Sequence, residues 1–464
     1  MQEISSAVKK SHSLQKKTAL IKQQNKPIDS LRIYQNGISF LEKQFADMSY
    51  EKPYALSSAG QQLLVWVVSG QPFIIAALPQ SLISFNKYNK DVVPLREYES
   101  EFIEFKVRVL LDEKEHGNDQ IWELTNKKGF SLIDLSNPDD TKKYYQKKIV
   151  IHHNNGSLFI NDKKVQQKYL KIDPLEEYIG FNDNHYRGSF IVIHDNQKTL
   201  LINQIELEDY VACVLNAESW PGWPLEVNKA FAIASRTYLA HKVLEATAAG
   251  LSYHIKNTNI HQTYNGIHSS DLLKKAVEQT KGLIVTYNKK PILAMFDSCC
   301  GGIIPAHMSG IDFKHTPYLA RKIPCTFCKS CKLYSWKLEY TLAQLEEILQ
   351  EAEKPLKNLQ DIRIIKKDKA GVVHKVACIG KPHELTFTGQ QFYSLLSKVK
   401  SYCYSIEKKG KKIIIQGRGY GHNRGICQWG ARNMVDEGWN YRSILSFYYP
   451  GTLLMKLRPV IYKV

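Results

Sequence analysis

The stretch "ELEDYVACVLNAESWPGWPLEVNKAFAIASRTYLAH", residues 206–241, contains two helical patterns separated by two Trp-Pro pairs. Apolar residues recur at helical spacing in its first half: Leu207, Tyr210, Val211, Val214 and Leu215. Because proline pushes the residue before it out of the α region, this first helix is expected to end near Glu218. Pro224 can begin a second helix, since its missing N–H is not needed in the first turn. The alanine-rich residues 225–249, followed by Gly250, predict a long and closely packed second helix.

Glu218 is expected next to the turn between these helices, which we call the Trp-Pro corner (residues 219–224). At the end of the first helix, its negative charge opposes the helix dipole. The neighbouring indoles also disfavour a charge, so both surroundings favour the protonated form that a general acid needs near neutral pH. The alternative is a structural role, in which Glu218 pairs with a Lys or Arg on a packed corner. The local pattern leaves both roles open.

The composition indicates a globular protein with an excess of positive charge. The 464 residues are 43% hydrophobic and 11% aromatic, enough for the cores of roughly two to three domains. With 63 Lys and Arg against 45 Asp and Glu, the net charge of +18 favours binding to polyanions, whether nucleic acid, anionic lipid, acidic polysaccharide or peptidoglycan. A basic but solvated surface is the alternative. A dense arginine stripe, zinc-finger spacing and an aromatic RNA-binding signature are all missing from the sequence. Nucleic acid is therefore not predicted as a partner.

The pattern of apolar and polar residues along the chain predicts an α+β protein of three parts. Residues 1–52 form a basic tail, expected to be disordered apart from a short helix; 53–205 form a mostly antiparallel β-rich domain; and 206–464 form an α+β domain. Hairpins are expected within residues 63–79 and at "HHNNGSLFIN" (152–161), where Asn-Gly favours a tight turn. The N-terminal residues contain no apolar run of signal-peptide length, and residues 63–79 are too interrupted to span a bilayer. Neither a targeting nor a transmembrane segment is predicted.

Nine cysteines are present, and five of them are close together in the chain: Cys299, Cys300, Cys325, Cys328 and Cys331. The segment "CTFCKSC" contains two overlapping C-x-x-C pairs, a spacing typical of structural zinc sites. We predict that Cys300, Cys325 and Cys328 bind zinc. Cys299, Cys331 and His307 are candidates for the fourth ligand, and we predict Cys331. Two disulfides or free thiols remain open as alternatives. No organic cofactor is predicted.

Several longer stretches carry a family resemblance: residues 206–241 above, "HQTYNG" (261–266), "AVEQTKGLIVTYNKKPILAMFDSCCGG" (276–302) and "GRGYGHNRGICQWGARNMVDEGWNYRSILSFYYPGT" (417–452). In order and spacing they resemble the SpoIID/LytB family over roughly half of the chain, residues 206–454. The upstream "VRVLLDE" and "YRGSF" are similar to the family's N-terminal β part. The resemblance implies a SpoIID-type catalytic domain of the α+β class, preceded by the β-rich domain and the basic tail.

The resemblance implies a peptidoglycan lytic transglycosylase. Members similar to stage II sporulation protein D cut denuded glycan strands between N-acetylmuramic acid and N-acetylglucosamine and leave 1,6-anhydro ends, whereas LytB-like members enhance an amidase. The family's catalytic glutamate matches Glu218. As a single acid/base, it would protonate the leaving glycosidic oxygen and then accept the proton of the attacking muramyl 6-hydroxyl. A second carboxylate at hydrolase spacing is not needed.

The same blocks imply saccharide-binding residues: Arg236, Gln262, Tyr264, Ser298, His422, Gln428 and Trp429. For Arg236, an ion pair that anchors the second helix is an equal alternative. Gln262 and Tyr264 are expected in a loop over the groove, and Gln428 and Trp429 are expected to form a sugar platform. The sequence departs from the usual family pattern at three positions. Asn423 stands in place of a Gly, Arg424 in place of a small apolar residue, and Cys427 in place of a serine.

Two other functions compete with catalysis. One is a non-catalytic peptidoglycan-binding enhancer of an amidase, and the other is a polyanion-binding structural protein whose cysteine cluster is the functional part. The expected partners are peptidoglycan glycan strands and an amidase that removes peptides beforehand. This substrate implies a location outside the cytoplasm, in the periplasm or cell envelope, although no signal peptide is visible. Some family members hold a metal near the active site. In this sequence His254 and His261 lie in the matching loop, and catalytic zinc is the weaker interpretation.

Overall fold

The computed structural model describes strands 63–68 and 71–77 and residues 105–460, apart from gaps at 116–121, 155–156, 195–197, 221, 259–260 and 269. Strands and α-helices both make up the fold, so the predicted α+β class is confirmed. The predicted basic tail, residues 1–52, lies outside the described residues. None of the helices in the described part combines the length and the apolar character needed to cross a membrane.

The N-terminal half is built from strands: β1 Leu63–Val68, β2 Gln71–Ala77, β3 Lys106–Glu115, β4 Trp122–Thr125, β5 Phe130–Asp134, β6 Asn137–Tyr144, β7 Lys148–Asn154, β8 Ser157–Ile160, β9 Lys163–Val165, β10 Tyr169–Pro174, β11 Ile179–Phe181, β12 Asn184–Tyr186, β13 Ser189–His194 and β14 Lys198–Glu206. The hairpin predicted at the Asn-Gly turn is confirmed, because β7 and β8 pair antiparallel. Along most of strands β3 to β14, the alternation of apolar residues places one face of each sheet in a shared core.

The C-terminal half mixes short strands with helices. Its strands are β15 Ile255–Lys256, β16 Leu283–Tyr287, β17 Lys290–Pro291, β18 Phe296–Asp297, β19 Ser335–Thr341, β20 Asp361–Lys367, β21 Val373–Ile379, β22 Glu384–Thr388, β23 Tyr404–Lys409, β24 Lys412–Arg418, β25 Ile426–Cys427 and β26 Leu453–Val460. Its helices are α1 Leu207–Glu218, α2 Leu225–Ala248, α3 Asp271–Gln279, α4 Leu342–Glu351, α5 Gly389–Leu395, α6 Gln428–Asp436 and α7 Tyr441–Tyr448, with 3₁₀ turns at Pro305–His307 and Pro317–Leu319.

Two sheets make up most of the β-rich part, and their strands pair antiparallel except for the parallel pairing of β15 with β3. A seven-stranded sheet has the order β15-β3-β14-β13-β10-β5-β6, and a six-stranded sheet has the order β12-β11-β4-β7-β8-β9. The predicted hairpin within residues 63–79 is also confirmed, since β1 pairs antiparallel with β2. However, β1 also pairs with β26 in a sheet that includes β16. This hairpin therefore joins strands from the C-terminal half rather than the two large sheets.

Helix α2 lies at the centre of the domain that contains the Trp-Pro corner. Both predicted helices form, and α2 packs against α1, α3, α7 and β16. Its alanines are buried on several faces, which lets neighbouring elements approach closely. Because α2 is fixed on all these sides, the Trp-Pro corner at its start has a rigid support.

Residues 335–418 form a smaller α+β unit with its own core. It consists of two three-stranded sheets, β19-β24-β23 and β20-β21-β22, together with α4 and α5. Its buried apolar residues form a cluster separate from the main core. This unit lies within the predicted α+β domain 206–464 and was not predicted separately, because its strands have the same alternating pattern as the rest of the chain. After it, the chain returns to the main domain through β25, which pairs parallel with β18 and leads into α6.

Candidate active site

The Trp-Pro corner is held in shape by one buried side chain, Asn228. Helix α1 ends at Glu218 because Ser219 leaves the helical region, with φ −97° and ψ 163°. The Asn228 amide donates to the carbonyl oxygens of Trp223 and Pro224 at 2.9 and 3.2 Å. Its Oδ1 accepts a hydrogen bond of 2.6 Å from the Ser219 hydroxyl. These bonds tie the end of α1 to the start of α2, so the position of Glu218 is set by the backbone on both sides.

The Glu218 carboxylate is half-buried and is contacted by a backbone N–H. Thr263 N donates to Glu218 Oε1 at 2.9 Å. Within the described residues, Oε2 has no hydrogen-bond partner, and no Lys, Arg or His forms an ion pair with the carboxylate. The geometry therefore does not support the ion-paired structural role considered for Glu218. It leaves one carboxylate oxygen free to exchange a proton with a substrate.

The loop that contacts Glu218 is anchored by two residues predicted to bind sugar. Gln262 is 1% exposed and accepts a hydrogen bond of 3.0 Å from the Tyr210 hydroxyl. Tyr264 is fully buried and stacks on Tyr210, with 5.2 Å between the ring centroids. Both side chains are part of the core, which corrects their predicted place over the groove. Their burial fixes the backbone between them, so that Thr263 presents its N–H to Glu218.

Arg236 is also part of the core rather than a sugar ligand. The side chain is fully buried, and its Nε and NH2 donate to Glu208 Oε1 and Oε2 at 3.1 and 2.6 Å. Its NH1 donates to the carbonyl oxygen of Leu283 at 3.0 Å. The structure therefore assigns Arg236 the second of its two predicted roles, an ion pair that anchors α2 to α1 and β16.

Three indole rings lie together beside Glu218. The ring centroids of Trp223 and Trp429 are 5.3 Å apart in an edge-to-face arrangement, and Trp220 lies 6.1 Å from Trp429. Trp223 is buried, whereas Trp220 is 48% exposed. Trp429 is partly buried, and its contact with sugar stays a prediction. Trp220 was not among the predicted binding residues, although a half-exposed indole supported from behind offers the apolar surface on which sugar rings stack.

Gln428 supports the Trp-Pro corner from the other side. Its side chain is 4% exposed, and Nε2 donates to the backbone carbonyl of Glu218 at 2.8 Å. This contact corrects its predicted place on the sugar platform, because the amide is committed to the protein. The next residue, Trp429, donates its backbone N–H to the carbonyl oxygen of Ser298 at 3.1 Å. Ser298 is itself partly exposed, next to the start of α6.

His422 belongs to a polar group that includes Asp297 and Arg424. Its Nδ1 accepts a hydrogen bond of 3.1 Å from Arg424 N and lies 3.9 Å from Asp297 Oδ2. Burial, and then the charge of Arg424, lowers the pKa of His422 to about 3, so the imidazole is neutral near neutral pH. Burial raises the pKa of Asp297 well above its usual value, and its buried Oδ1 has no partner among the described residues. Asp297 was not among the predicted site residues, and its signal in the sequence is an acidic residue inside the apolar segment "AMFDSCC".

The departures from the family pattern around His422 have a local explanation at Asn423. Its φ of 64° lies in the left-handed region, which glycine favours and asparagine tolerates better than most residues. Its backbone N–H donates to Asp297 Oδ2 at 2.6 Å. Asparagine therefore suits this backbone position, where the resemblance implies a glycine.

The predicted metal ligands need one correction. Four buried cysteines have Sγ atoms within 4.8 Å of one another: Cys300, Cys325, Cys328 and Cys427. The predicted fourth ligand, Cys331, lies outside this group, and its Sγ accepts a hydrogen bond of 3.2 Å from Leu333 N. The alternatives Cys299 and His307 are not members of the group either. The parallel pairing of β18 with β25 brings Cys427 to the cluster, a contact that spacing along the chain cannot reveal.

The histidines considered for a catalytic metal are already engaged. His254 Nδ1 accepts from Arg108 N at 3.1 Å, and its Nε2 lies 3.1 Å from the Arg108 guanidinium. His261 Nδ1 accepts from Lys256 N at 3.1 Å. In the part of the chain that the structure describes, neither belongs to a group of potential metal ligands.

Two family models match the chain. The model described as stage II sporulation protein, SpoIID, matches residues 195–287, which include α1, the Trp-Pro corner, α2 and the Thr263 loop. A second model, described as a domain of unknown function, matches residues 326–425. That range contains all of the smaller unit at 335–418.

Several relatives are similar over more than half of this chain. An uncharacterized protein of Brachyspira hyodysenteriae is 32% identical over 275 residues, which cover 58% of this chain and 72% of the relative. Stage II sporulation protein D of Bacillus subtilis is 26% identical over 276 residues, covering 54% of this chain and 75% of that protein. The amidase enhancer of Bacillus subtilis is 28% identical over 296 residues, covering 52% of this chain but only 39% of the relative.

Proposed function

The chain belongs to the SpoIID family, and on that premise we propose that it is a lytic transglycosylase acting on denuded peptidoglycan strands, with Glu218 as its single general acid/base. The observation that carries the proposal is the state of the Glu218 carboxylate. One oxygen is held by the backbone N–H of Thr263, and the other has no partner among the described residues. A positioned carboxyl group without a cationic partner is suited to proton transfer.

In the reaction, Glu218 first donates one proton and then accepts another. In the first half, the proton on Glu218 Oε2 moves to the glycosidic oxygen, and the bond from that oxygen to the anomeric carbon of N-acetylmuramic acid breaks. In the second half, the 6-hydroxyl of the same sugar attacks the anomeric carbon and gives its proton to Oε2. The products are a 1,6-anhydro end and a free 4-hydroxyl, and Glu218 is again protonated. Because the nucleophile is part of the substrate, water does not need to be activated.

Thr263 and Gln428 act as positioning residues in this proposal. The Thr263 N–H keeps Oε1 occupied, so that the proton is carried by Oε2. Gln428 holds the Glu218 carbonyl oxygen and so limits movement of the backbone at the end of α1. Keeping the acid in one orientation raises the fraction of bound substrate that is ready to react.

The half-exposed Trp220 and its neighbour Trp429 supply the sugar-binding surface in this proposal. Sugar rings present apolar C–H faces, which pack on indole rings, and the Trp223 ring supports the pair from the core side. The His422 imidazole is neutral and partly exposed, so in this proposal it can contact a sugar without adding charge. The net charge of +18 suits an anionic cell-wall polymer.

Partner and location follow from the substrate. Glycan strands without peptides are produced by an amidase, so we expect this protein to act after or beside such an enzyme. The amidase enhancer among the relatives supports that association. It also favours a second candidate function, a peptidoglycan-binding enhancer without turnover. Either function requires the protein to act outside the cytoplasm, where peptidoglycan lies.

One experiment separates the two candidates. Wild type and Glu218→Gln are incubated with peptide-free glycan strands and with intact sacculi, and the products are identified by mass spectrometry. We expect 1,6-anhydromuramic ends from wild type and none from Glu218→Gln, with equal binding by both. Glu245→Gln serves as the matched control, because its side chain is 54% exposed on α2 and, among the described residues, forms ion pairs with His241 and Lys242 of the same helix. Binding without cleavage by wild type would reject the transglycosylase proposal in favour of the enhancer.

A further inference from the structure

A cluster of four thiols lies at the start of helix α6 and takes no part in the proposed reaction. Cys300, Cys325, Cys328 and Cys427 are each at most 1% exposed, and all four Sγ atoms lie within 4.8 Å of one another. They come from three separate places in the chain, after β18, in the "CTFC" segment, and at the end of β25. Because these buried thiols come from distant segments, the tertiary structure brings them together, and closeness in the sequence alone does not explain the cluster.

The distances suit a single tetrahedral ion. Zinc binds thiolate sulfur at about 2.3 Å, so the sulfur atoms of a zinc tetrahedron are about 3.8 Å apart. The Sγ atoms of Cys300 and Cys328 are 3.8 Å apart. A disulfide would require about 2.05 Å. All four cysteines are free in the structure, so the sulfurs are at metal-binding rather than bonded distances.

The surroundings of the cluster supply hydrogen bonds suited to thiolates. Cys427 Sγ accepts from the backbone N–H groups of Cys300 and Gly430 at 3.2 and 3.3 Å. The Tyr448 hydroxyl lies 3.2 Å from Cys325 Sγ. Backbone and hydroxyl donors of this kind surround metal-bound thiolates, where they spread the negative charge and orient the ligands.

A buried arginine provides charge balance. Arg321 is 3% exposed, and its NH2 lies 3.9 Å from Cys300 Sγ and 3.2 Å from the carbonyl oxygen of Ile303. The hydrogen bonds that the structure gives it go to this sulfur and to backbone carbonyls, including that of Ile323. Four thiolates around one divalent ion carry a net charge of −2. A buried guanidinium beside them offsets part of that charge.

The start of helix α6 is shaped to fit the cluster. A Cβ atom on Gly430 would lie 2.7 Å from Cys325 Sγ and 2.2 Å from the Tyr448 hydroxyl oxygen. Any larger residue would push α6 away from the sulfurs. The Cys427 side chain also caps α6 by accepting from Gly430 N, so the thiol cluster and the first turn of α6 are one packed unit.

We propose that Cys300, Cys325, Cys328 and Cys427 bind one zinc ion in a closed, structural site. Four sulfur ligands leave no open position for a substrate, so the ion has no direct part in catalysis. It links the cysteine-rich segment to the start of α6, where Gln428 follows Cys427 and holds the Glu218 carbonyl. The site thereby supports the active-site scaffold. This ligand assignment rests on the four cysteines and their surroundings, and it does not depend on the proposed transglycosylase reaction.

The test is metal analysis of the full chain with two matched cysteine variants. Elemental analysis of wild type purified without chelator is expected to give about one zinc per chain. Cys427→Ser is expected to lose it, and Cys331→Ser is expected to keep it. Cys331 is the ideal control, because it is buried and near in sequence to Cys328, yet lies outside the four-sulfur group. Retained zinc in Cys427→Ser, or zinc lost only in Cys331→Ser, would overturn the ligand assignment.

A second measurement covers the case in which Cys427→Ser does not fold. Wild type in which cobalt replaces zinc is expected to show the intense visible absorption and sulfur charge-transfer bands of a tetrahedral tetrathiolate site. Mass spectrometry of the unreduced protein is expected to find no disulfide among the four cysteines. A metal-free protein, an iron centre in place of zinc, or a disulfide within the group would each reject the proposal.

Discussion

Removing Arg236 is expected to weaken the fold and to leave glycan affinity unchanged. The guanidinium is fully buried, makes two hydrogen bonds to the Glu208 carboxylate and makes a third to the Leu283 carbonyl. Removing one partner of a buried ion pair costs about 3–5 kcal/mol, because a charge stays behind without compensation. The Glu208 side chain is 24% exposed, so water can partly solvate it. We therefore expect Arg236→Met to lower the free energy of unfolding by about 2–3 kcal/mol.

The measurement is urea unfolding of wild type, Arg236→Met, Glu208→Gln and the double variant, followed by circular dichroism. The double variant should lose less than the sum of the single variants by about 1–3 kcal/mol, since it leaves no unpaired charge. Arg187→Met is the control, because its pair with Asp209 reaches the same helix α1 but is 3.8 Å long and exposed. It should cost less than about 1 kcal/mol. Co-sedimentation with sacculi measures glycan affinity. If Arg236→Met keeps wild-type stability but binds sacculi tenfold more weakly, Arg236 binds sugar and the reasoning is wrong.

Three further predictions concern the site itself. Thr263→Pro removes the N–H that holds Glu218 Oε1 and should lower kcat at least tenfold with KM little changed, whereas Thr263→Ala, which keeps the N–H, should behave as wild type. Equal activity of the two variants in glycan digestion would reject the positioning role. Trp220→Ala should weaken sacculus binding about tenfold through loss of about 1–1.5 kcal/mol of packing, with unchanged thermal stability because the indole is half-exposed. The pKa of His422 is lowered to about 3 in the folded state, so the unfolded chain takes up the proton first as the pH falls. The contribution of His422 to the free energy of unfolding should therefore be fully present above about pH 6.5. It should decline toward pH 3 by up to about 1.4 kcal/mol per pH unit. His422→Gln should flatten that decline in urea titrations, and an unchanged slope would show that His422 is solvated.

The positions around Glu218 illustrate how a catalytic group is held by residues that do not react. The Thr263 N–H holds the Glu218 carboxylate, Gln428 holds the backbone carbonyl of Glu218, and Asn228 fixes the Trp-Pro corner. All of these contacts involve backbone atoms. Their geometry depends on the rigidity of the loop and helices, which in turn depends on buried side chains such as Gln262.

The sequence by itself determined the local elements around the site. Helix α1 stops at Glu218 and α2 starts at Leu225 because proline restricts the backbone before it and lacks an N–H, both of which are properties of neighbouring residues. The hairpin of β7 and β8 follows from an Asn-Gly turn between apolar runs. The family blocks were also visible in the sequence, since each of them is continuous in the chain.

Only the tertiary structure decided which polar residues are buried and which distant residues meet. Arg236, Gln262 and Tyr264 have side chains that can bind sugar or fill a core, and their role depends on partners far away in the chain, such as Tyr210 for Gln262. The fourth cysteine of the thiol group, Cys427, lies 99 residues after Cys328 and reaches it only because β25 pairs with β18. Helix and turn signals act over a few residues, whereas burial and metal-ligand geometry arise from contacts between segments, which spacing along the chain does not encode.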